Sequence, residues 1–175
     1  MAILGLLRGI MGEPSVNPIY ARLVRQARHP WFYTSMGLSD SLDGRFECMA
    51  LHLAVLHAAM SESIALHPLR QKIMERFIEE MDENLREIGV SDSGIARKMS
   101  KMAEHLYGRL NVYQKGLLDE DLDNLRDSVA NNMGLNRPEN AIAVAFYVRK
   151  AFISMRVKQP VERLELFCCW PEPKE

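Results

Sequence analysis

The sequence predicts an all-α protein, a single compact multi-helix domain of about six to eight helices. Apolar residues recur at spacings of three and four along nearly the whole chain, and the alternating pattern typical of strands is missing. Proline, glycine, serine and aspartate stand where the periodic segments begin and end, as they do at helix termini. The 175 residues, 47% of them hydrophobic, suffice for one buried core without disulfides or a structural metal.

Three helical segments are predicted in the first part of the chain. Asn17 and Pro18 fit an N-cap and a first helical position, and they predict a helix that ends near Arg28. The aromatic segment 30–37 predicts a short turn of helix. Segment 45–61 is apolar on almost every side, which predicts a helix buried in the core.

Four longer helices are predicted after these. Segment 68–88 is amphipathic, and the next helix carries its apolar face between residues 95 and 113. The acidic stretch 119–124 suits the positive end of a helix that ends near Gly134, and a last helix covers 138–157. The apolar faces of the first and last of these four comprise Leu69, Ile73, Phe77, Met81, Leu85 and Ile88, and Ile142, Val144, Phe146, Val148, Phe152 and Ile153.

We divide the chain into an N-terminal segment 1–15, a helical domain 16–159 and a C-terminal tail 160–175. The first segment lacks the basic region and cleavage site of a signal peptide, and we expect it to be flexible or to lie near a membrane. The longest apolar run, 141–148, is too short to cross a membrane. No internal repeat or linker interrupts the helical pattern, so one domain is expected.

Charge and cysteine content limit the classes of partner and compartment. The 22 basic residues are balanced by 23 acidic ones, so the chain has no general positive field and we expect no nucleic-acid partner. The three cysteines, Cys48, Cys168 and Cys169, are an odd number and include an adjacent pair. They do not fit a disulfide framework, and we expect a reducing, cytoplasmic setting.

Sequence motifs of catalytic and metal sites are missing. The chain has no HExxH, nucleophile-elbow, Walker or dinucleotide-binding motif, so we expect no enzyme, no catalytic residue, no metal and no cofactor. Acidic clusters at 79–83 and 119–123 leave one alternative, an all-α Mg-dependent enzyme acting on a diphosphate ligand. We favour a solvated helix face and a helix N-terminus for these clusters. A helical oligomerisation module is a further alternative.

Two segments, 26–52 and 77–109, carry a more specific pattern. The first contains ARHPWFY, then a glycine, an aspartate and DGRF; the second contains MD, LREIGV and MAEHLYGR. In this order the elements resemble the ubiquinol–cytochrome c chaperone family, of the α-proteobacterial type, over about 19–132.

The resemblance implies an assembly chaperone that binds cytochrome b and supports biogenesis of ubiquinol–cytochrome c reductase, complex III of the respiratory chain. The implied client is cytochrome b as a nascent membrane protein. A small assembly partner and the ribosome are further candidate partners. The implied location is the cytoplasm, with a peripheral position at the inner membrane surface as a second expectation.

The candidate partner-binding or family-motif residues share polar or aromatic side chains that suit protein contacts. They are Tyr20, Arg28, Phe32, Tyr33, Asp40, Asp43, Arg45, Phe46, Asp82, Arg86, Glu87, Tyr107 and Arg109. Such side chains either contact a client or lock loops against helices, and both interpretations are open. Because an unfinished membrane protein offers apolar helices and polar loops, we expect an exposed apolar surface near Arg45 and Arg86.

Overall fold

The structure, a computed structural model, describes residues 18–156 and 167–173. Within these ranges the chain forms α-helices, a short 3-10 helix and connecting turns, with no β-strand. The predicted all-α class is therefore confirmed. The predicted N-terminal segment 1–15, the predicted N-cap Asn17, the predicted helix end at Val157 and residues 160–166 and 174–175 of the predicted tail lie outside the described residues.

The helices begin and end close to the positions that the sequence predicts. They are α1 (Pro18–Ala27), α2 (Pro30–Thr34), α3 (Leu42–Ala59), a 3-10 helix (Ile64–Leu66), α4 (His67–Glu87), α5 (Asp92–Leu118), α6 (Leu122–Met133) and α7 (Pro138–Arg156). The main difference concerns α5, which continues for more than one turn beyond the predicted apolar face ending at Tyr113.

Side chains of the predicted capping type start and stop several of these helices. The Ser41 hydroxyl accepts a hydrogen bond from the backbone N–H of Gly44 at 3.1 Å, which caps α3. The Asp121 carboxylate accepts the N–H of Asn124 at 2.9 Å and caps α6. Helix α6 ends at Gly134, whose φ of 63° lies in the left-handed region that glycine adopts most easily.

Helix α3 lies at the centre of the core. Every residue from Cys48 to Met60 is buried, as the all-round apolar pattern predicts. Helices α1, α5, α6 and α7 pack against it. The C-terminal segment adds Trp170, whose ring centre lies 4.9 Å from that of His52. The core is therefore organised around one helix.

Helix α4 is amphipathic and packs mainly against α5. Its buried face includes Leu69, Ile73, Phe77, Met81 and Leu85, as predicted. The prediction is wrong for the sixth residue of that face, Ile88, which is 60% exposed. It is the C-cap residue, so the chain has already left the helical repeat at this position.

The prediction for α7 is wrong for half of its apolar residues. Val144, Val148 and Phe152 are buried, but Ile142, Phe146 and Ile153 are 40%, 57% and 45% exposed. Because a helix has 3.6 residues per turn, these three exposed residues lie on the side opposite the buried ones. We call them the α7 stripe. None of the helices that the structure describes is long and apolar enough to cross a membrane.

Candidate functional site

Several of the predicted site residues meet where α1 and α2 end and α3 begins. A cavity of about 290 Å³ there is lined by Arg28, Pro30, Tyr33, Thr34, Asp40 and Arg45. We call these six residues the Arg28–Arg45 cleft. A smaller recess of about 80 Å³ shares Arg28, Tyr33 and Arg45 and extends to Leu42, Phe46 and α4.

A hydrogen-bonded carboxylate connects this cleft to α4. The buried Tyr20 hydroxyl donates to Glu80 Oε2 at 2.7 Å, and Arg28 Nη2 donates to Glu80 Oε1 at 3.0 Å. Burial, followed by the hydrogen bond to Glu80, raises the pKa of Tyr20 above its ordinary value, so the phenol keeps its proton and donates. Glu80 thereby fixes α1 and Arg28 against α4.

The opposite side of the cleft is formed by an exposed ion pair. Arg45 Nε donates to Asp40 Oδ1 at 2.7 Å, and both side chains are more than half exposed. This hydrogen bond lowers the pKa of the Asp40 carboxyl below its usual range. Between the two sides, the Tyr33 hydroxyl donates to the carbonyl of Ala27 at 2.9 Å, and burial raises the pKa of Tyr33.

A close backbone approach determines the shape of the turn before α3. A Cβ atom at Gly44 would lie 1.9 Å from the carbonyl oxygen of Ser39. Only glycine leaves room for this contact, which holds the 39–44 turn against the first turn of α3. The turn carries Asp40, and the next residue after Gly44 is Arg45, so this approach positions both members of the exposed pair.

Other predicted residues form a second cluster between α4 and α5. Arg86 donates from Nε to Asp82 Oδ2 at 2.6 Å and from Nη1 to Asp92 Oδ1 at 2.9 Å. A cavity of about 580 Å³ beside this cluster also contacts Ile95 and Met99. Glu87, the last residue of α4, is exposed. This cluster closes the turn from α4 to α5.

Arg109 links α5 to α3 through a bidentate pair. Its Nε and Nη2 atoms donate to Glu47 Oε2 and Oε1 at 2.8 and 2.9 Å. The side chains of Arg109 and Glu47 are 27% and 13% exposed, so the pair is partly buried. Tyr107, also on α5, is 63% exposed and lines a different cavity. These two residues do not reach the Arg28–Arg45 cleft.

Three predicted residues have positions with other roles. Phe32 is fully buried, and its ring centre lies 5.2 Å from that of His52. Phe46 is buried with its ring centre 6.0 Å from Phe77, although it also lines the small recess. Asp43 is exposed in the first turn of α3, where its charge suits the helix dipole.

The acidic clusters that suggested a magnesium enzyme lie beside arginines. Glu79 and Glu83 lie within 3.4 Å of Arg76. Asp123 lies 2.7 Å from Arg126, and Asp121 caps α6. Across residues 18–156 and 167–173, no group of three or more His, Cys, Asp or Glu side chains is arranged to hold a metal ion.

Sequence reasoning missed two features that bear on binding. Glu80 was part of an acidic run that we interpreted as a solvated helix face, yet its side chain is only 16% exposed. The α7 stripe was included in a predicted buried face. The sequence did contain an indication of this exposed stripe, since α7 has more apolar positions than a single buried helix face accommodates.

Two comparisons with known proteins give matches. A family model described as "Ubiquinol-cytochrome C chaperone" matches residues 34–156. A crystal structure of the Cbp3 homolog from Brucella abortus is similar with a TM-score of 0.74 and 30% sequence identity. That similarity covers 85% of this chain and 83% of the Brucella chain. No curated protein matches.

Proposed function

The chain belongs to the ubiquinol–cytochrome c chaperone family, and from this we propose that it binds cytochrome b as an assembly chaperone of complex III. The role is non-enzymatic: the protein shelters an unfinished client rather than converting a substrate. The observation that carries the proposal is the Arg28–Arg45 cleft, because family-motif residues from the end of α1, from α2 and from the start of α3 meet there beside arginine donors that face solvent.

The donors of the cleft suit a polypeptide client. Arg28 contacts Glu80 through Nη2, and Arg45 contacts Asp40 through Nε. A guanidinium has five N–H donors, so both arginines keep donors that face solvent; each side chain is 58% exposed. Carbonyl groups at the ends of client helices are acceptors of the matching kind.

Apolar surface next to the arginines is also needed for a membrane-protein client. Leu42, which lines the small recess, is 38% exposed, and Tyr33 is half-buried with its hydroxyl bonded inward. At the second cluster, Ile88 supplies exposed apolar surface near Arg86. These exposed side chains support the expectation that the surfaces near Arg45 and Arg86 combine charged and apolar groups.

The proposed location and further partners follow from the same family role. We place the protein in the cytoplasm with access to the surface of the inner membrane, where cytochrome b is inserted. A small assembly partner and the ribosome complete the proposed set of partners.

Co-purification tests the proposal directly. The tagged full-length chain is purified from detergent-solubilised membranes, and attached proteins are identified by mass; cytochrome b is the expected partner. Arg45→Ala should reduce its recovery several-fold, whereas Arg126→Ala, which removes a similarly paired arginine on α6, should not. The idea is lost if no cytochrome b is recovered and a deletion strain assembles normal amounts of complex III.

The α7 stripe favours one second function, a helical oligomerisation module. A stripe of three exposed apolar residues is suited to contact another helix. Sedimentation of the full chain distinguishes the two functions: a monomer that still captures cytochrome b supports the chaperone, and a stable oligomer without a client supports the module.

A further inference from the structure

A separate cavity of about 750 Å³ lies between the first half of α4 and the middle of α5. The end of α3 contributes His57, and α4 contributes Arg70. None of the residues that line this cavity lines the Arg28–Arg45 cleft. Its character differs too, because two of its polar groups are buried without a hydrogen-bond partner.

His57 is the first of these groups. It is only 8% exposed, and its Nε2 atom has no hydrogen-bond partner among the described residues. Burial, and then the charge of Arg70, lowers the pKa of His57 to about 4, while a hydrogen bond to the backbone of Arg70 acts in the opposite direction. The imidazole is therefore neutral near pH 7, and its Nε2 atom is left without a hydrogen-bond partner among the described residues.

Arg70 carries the second buried polar group without a hydrogen-bond partner. Its Nε atom is buried and has no partner among the described residues, and no carboxylate there lies within ion-pair distance. Eight other arginines lie within 4 Å of a carboxylate, namely Arg28, Arg45, Arg76, Arg86, Arg109, Arg126, Arg149 and Arg156. Among the arginines of the described ranges, only Arg70 has a buried side-chain nitrogen without a hydrogen-bond partner.

A carboxylate does line the cavity, but it faces another group. Glu75 Oε1 accepts a hydrogen bond from Gln71 at 2.8 Å, one turn away along α4. The first turn of α4 carries no acidic residue either, so the positive end of that helix is not neutralised locally. The end of the cavity at His57 and Arg70 therefore favours an anionic group.

The remaining lining is mixed: His67, Gln71, Glu75, Asn111 and Gln114 are polar, and four other side chains form an apolar part. Met74 and Leu110 are buried at 8% and 5% exposure, Ile78 is half-buried, and Tyr107 is exposed at the rim. A ligand that fits both parts has a charged group at one end and an apolar body at the other. With one arginine, and with Glu75 nearby, a monoanion is a better match than a dianion.

We propose that this cavity binds a carboxylate attached to an apolar body, with the carboxylate held between His57 Nε2 and Arg70 Nε. Arg70 donates a hydrogen bond, and His57 shares a proton with the carboxylate at Nε2. Binding supplies partners to two buried groups that otherwise lack them, which relieves a cost of desolvation. The proposal does not rest on cytochrome b as client.

The same chemistry has two sources, a free organic acid and a carboxylate of a polypeptide. Calorimetry with the full chain separates them. Decanoate represents the free acid, and a short acetylated peptide ending in leucine and phenylalanine, with a free C-terminal carboxylate, represents the polypeptide. Decanol, the amidated peptide and inorganic phosphate are the comparison compounds. At least one carboxylate should bind, and each should bind more tightly than its neutral counterpart.

Substitutions test whether Arg70 binds the carboxylate. Arg70→Gln should weaken carboxylate binding by about tenfold or more, equivalent to about 1.4 kcal/mol. Lys72→Gln removes the same charge from an exposed position on α4 outside the cavity, and it should leave binding unchanged. Thermal unfolding of both variants checks that they fold. If Arg70→Gln does not fold, Arg70→Lys, which keeps the charge but not the Nε donor, replaces it.

The shared proton gives an independent measurement. The titratable and charged groups that line the cavity are His57, His67, Arg70, Glu75 and Tyr107. If binding protonates His57, whose pKa is about 4 in the free protein, affinity should rise as the pH falls below the pKa of His57 in the complex, by at most about tenfold per unit. Nuclear magnetic resonance of the His57 ring should show its pKa raised by the bound carboxylate.

Several results would overturn the proposal. One is that decanol binds as tightly as decanoate and the amidated peptide as tightly as the free-acid peptide. A second is that phosphate binds as tightly as the carboxylates. The others are an affinity that Arg70→Gln leaves unchanged and a His57 resonance that no carboxylate shifts. Absence of binding by both carboxylates would overturn it as well. Capture of cytochrome b is measured separately, so each proposal fails on its own result.

Discussion

Helices α3 and α4 contact each other and have opposite roles in the molecule. Every residue of α3 from Cys48 to Ala59 is buried, and five helices, α4 among them, pack against it. α4 buries one face, mainly against α5, and three of the cavities described above are lined in part by its residues. The buried part of α3 carries the fold, whereas the first turns of α3, with Arg45, and the exposed parts of α4 line concave surfaces available to partners.

This difference separates two kinds of substitution. Changes in the buried part of α3, from Cys48 to Ala59, should act through stability, since most side chains there contact the protein interior. Changes on the exposed parts of α4 and its neighbours should act through binding, because exposed ion pairs contribute little to folding. The predictions below test that separation, starting with the largest expected effect.

Truncation in α3 should cost more than the same kind of truncation in α4. Leu53→Ala should lower the free energy of unfolding by roughly 2–5 kcal/mol, because Leu53 is fully buried and surrounded. Ile73→Ala is the matched variant on α4, also fully buried, and we expect a smaller loss because a peripheral helix can relax into the cavity. Urea denaturation measures both, and equal losses would contradict the contrast.

Acid should destabilise the protein through two histidines of α3. Burial lowers the pKa of His52 and of His57 to about 4, below the ordinary value of 6.5. Between these values the unfolded chain binds more protons, so stability decreases as the pH falls from about 6.5 to about 4, by roughly 3 kcal/mol per histidine at most.

Denaturant midpoints measured across this pH range test the effect. His57→Gln should remove about half of the acid-dependent loss, and His105→Gln, at an exposed position on α5, serves as the control. A stability profile that His57→Gln leaves unaltered would mean that folding does not lower the pKa of His57.

Removing the bidentate pair between α5 and α3 should have an intermediate effect. Arg109→Ala leaves the partly buried Glu47 carboxylate without its partner, and we expect a loss of about 2 kcal/mol. The double-mutant cycle with Glu47→Ala should give a coupling energy of about 1 kcal/mol. A coupling energy near zero would mean that the Arg109–Glu47 pair contributes as little to stability as the exposed ion pairs.

The smallest effect is expected at the turn between α4 and α5. Arg86→Ala removes two ion pairs, but the Arg86 side chain is 54% exposed, so the loss in the free energy of unfolding should be the smallest of the four effects. It should decrease further in about 1 M salt, where exposed charges are screened. A larger loss that does not depend on salt would show that this surface also contributes to the fold.

Much of the fold could be predicted because local rules determine it. Apolar periodicity gave the helices, and Pro138, Asp121 and Gly134 marked helix ends. The extension of α5 could not be predicted in this way, since Gly116 in its last turns usually indicates a helix end. In the structure Gly116 lets α6 approach closely: a Cβ there would lie 3.0 Å from that of Leu125.

The candidate site could be predicted only in part, because its partners come from distant segments. The motif resemblance indicated Arg28, Tyr33 and Arg45, and the structure places them around one cleft. It did not indicate Glu80, which lies 60 residues from Tyr20 along the chain. Nor could spacing show that His57 and Arg70 face the same cavity, because that depends on the turn between α3 and α4. Local patterns give helix faces, and tertiary packing decides which faces meet.

The close approach at Gly44 also limits how this chain can evolve. Any of the other nineteen coded residues would place a carbon atom where the Ser39 carbonyl oxygen stands. Gly108, another glycine of the motif, has no described atom within 4 Å of the added carbon, and alanine there would favour the helix by roughly 0.5–1 kcal/mol. Folding therefore allows a change to alanine at position 108, whereas at position 44 it selects for glycine.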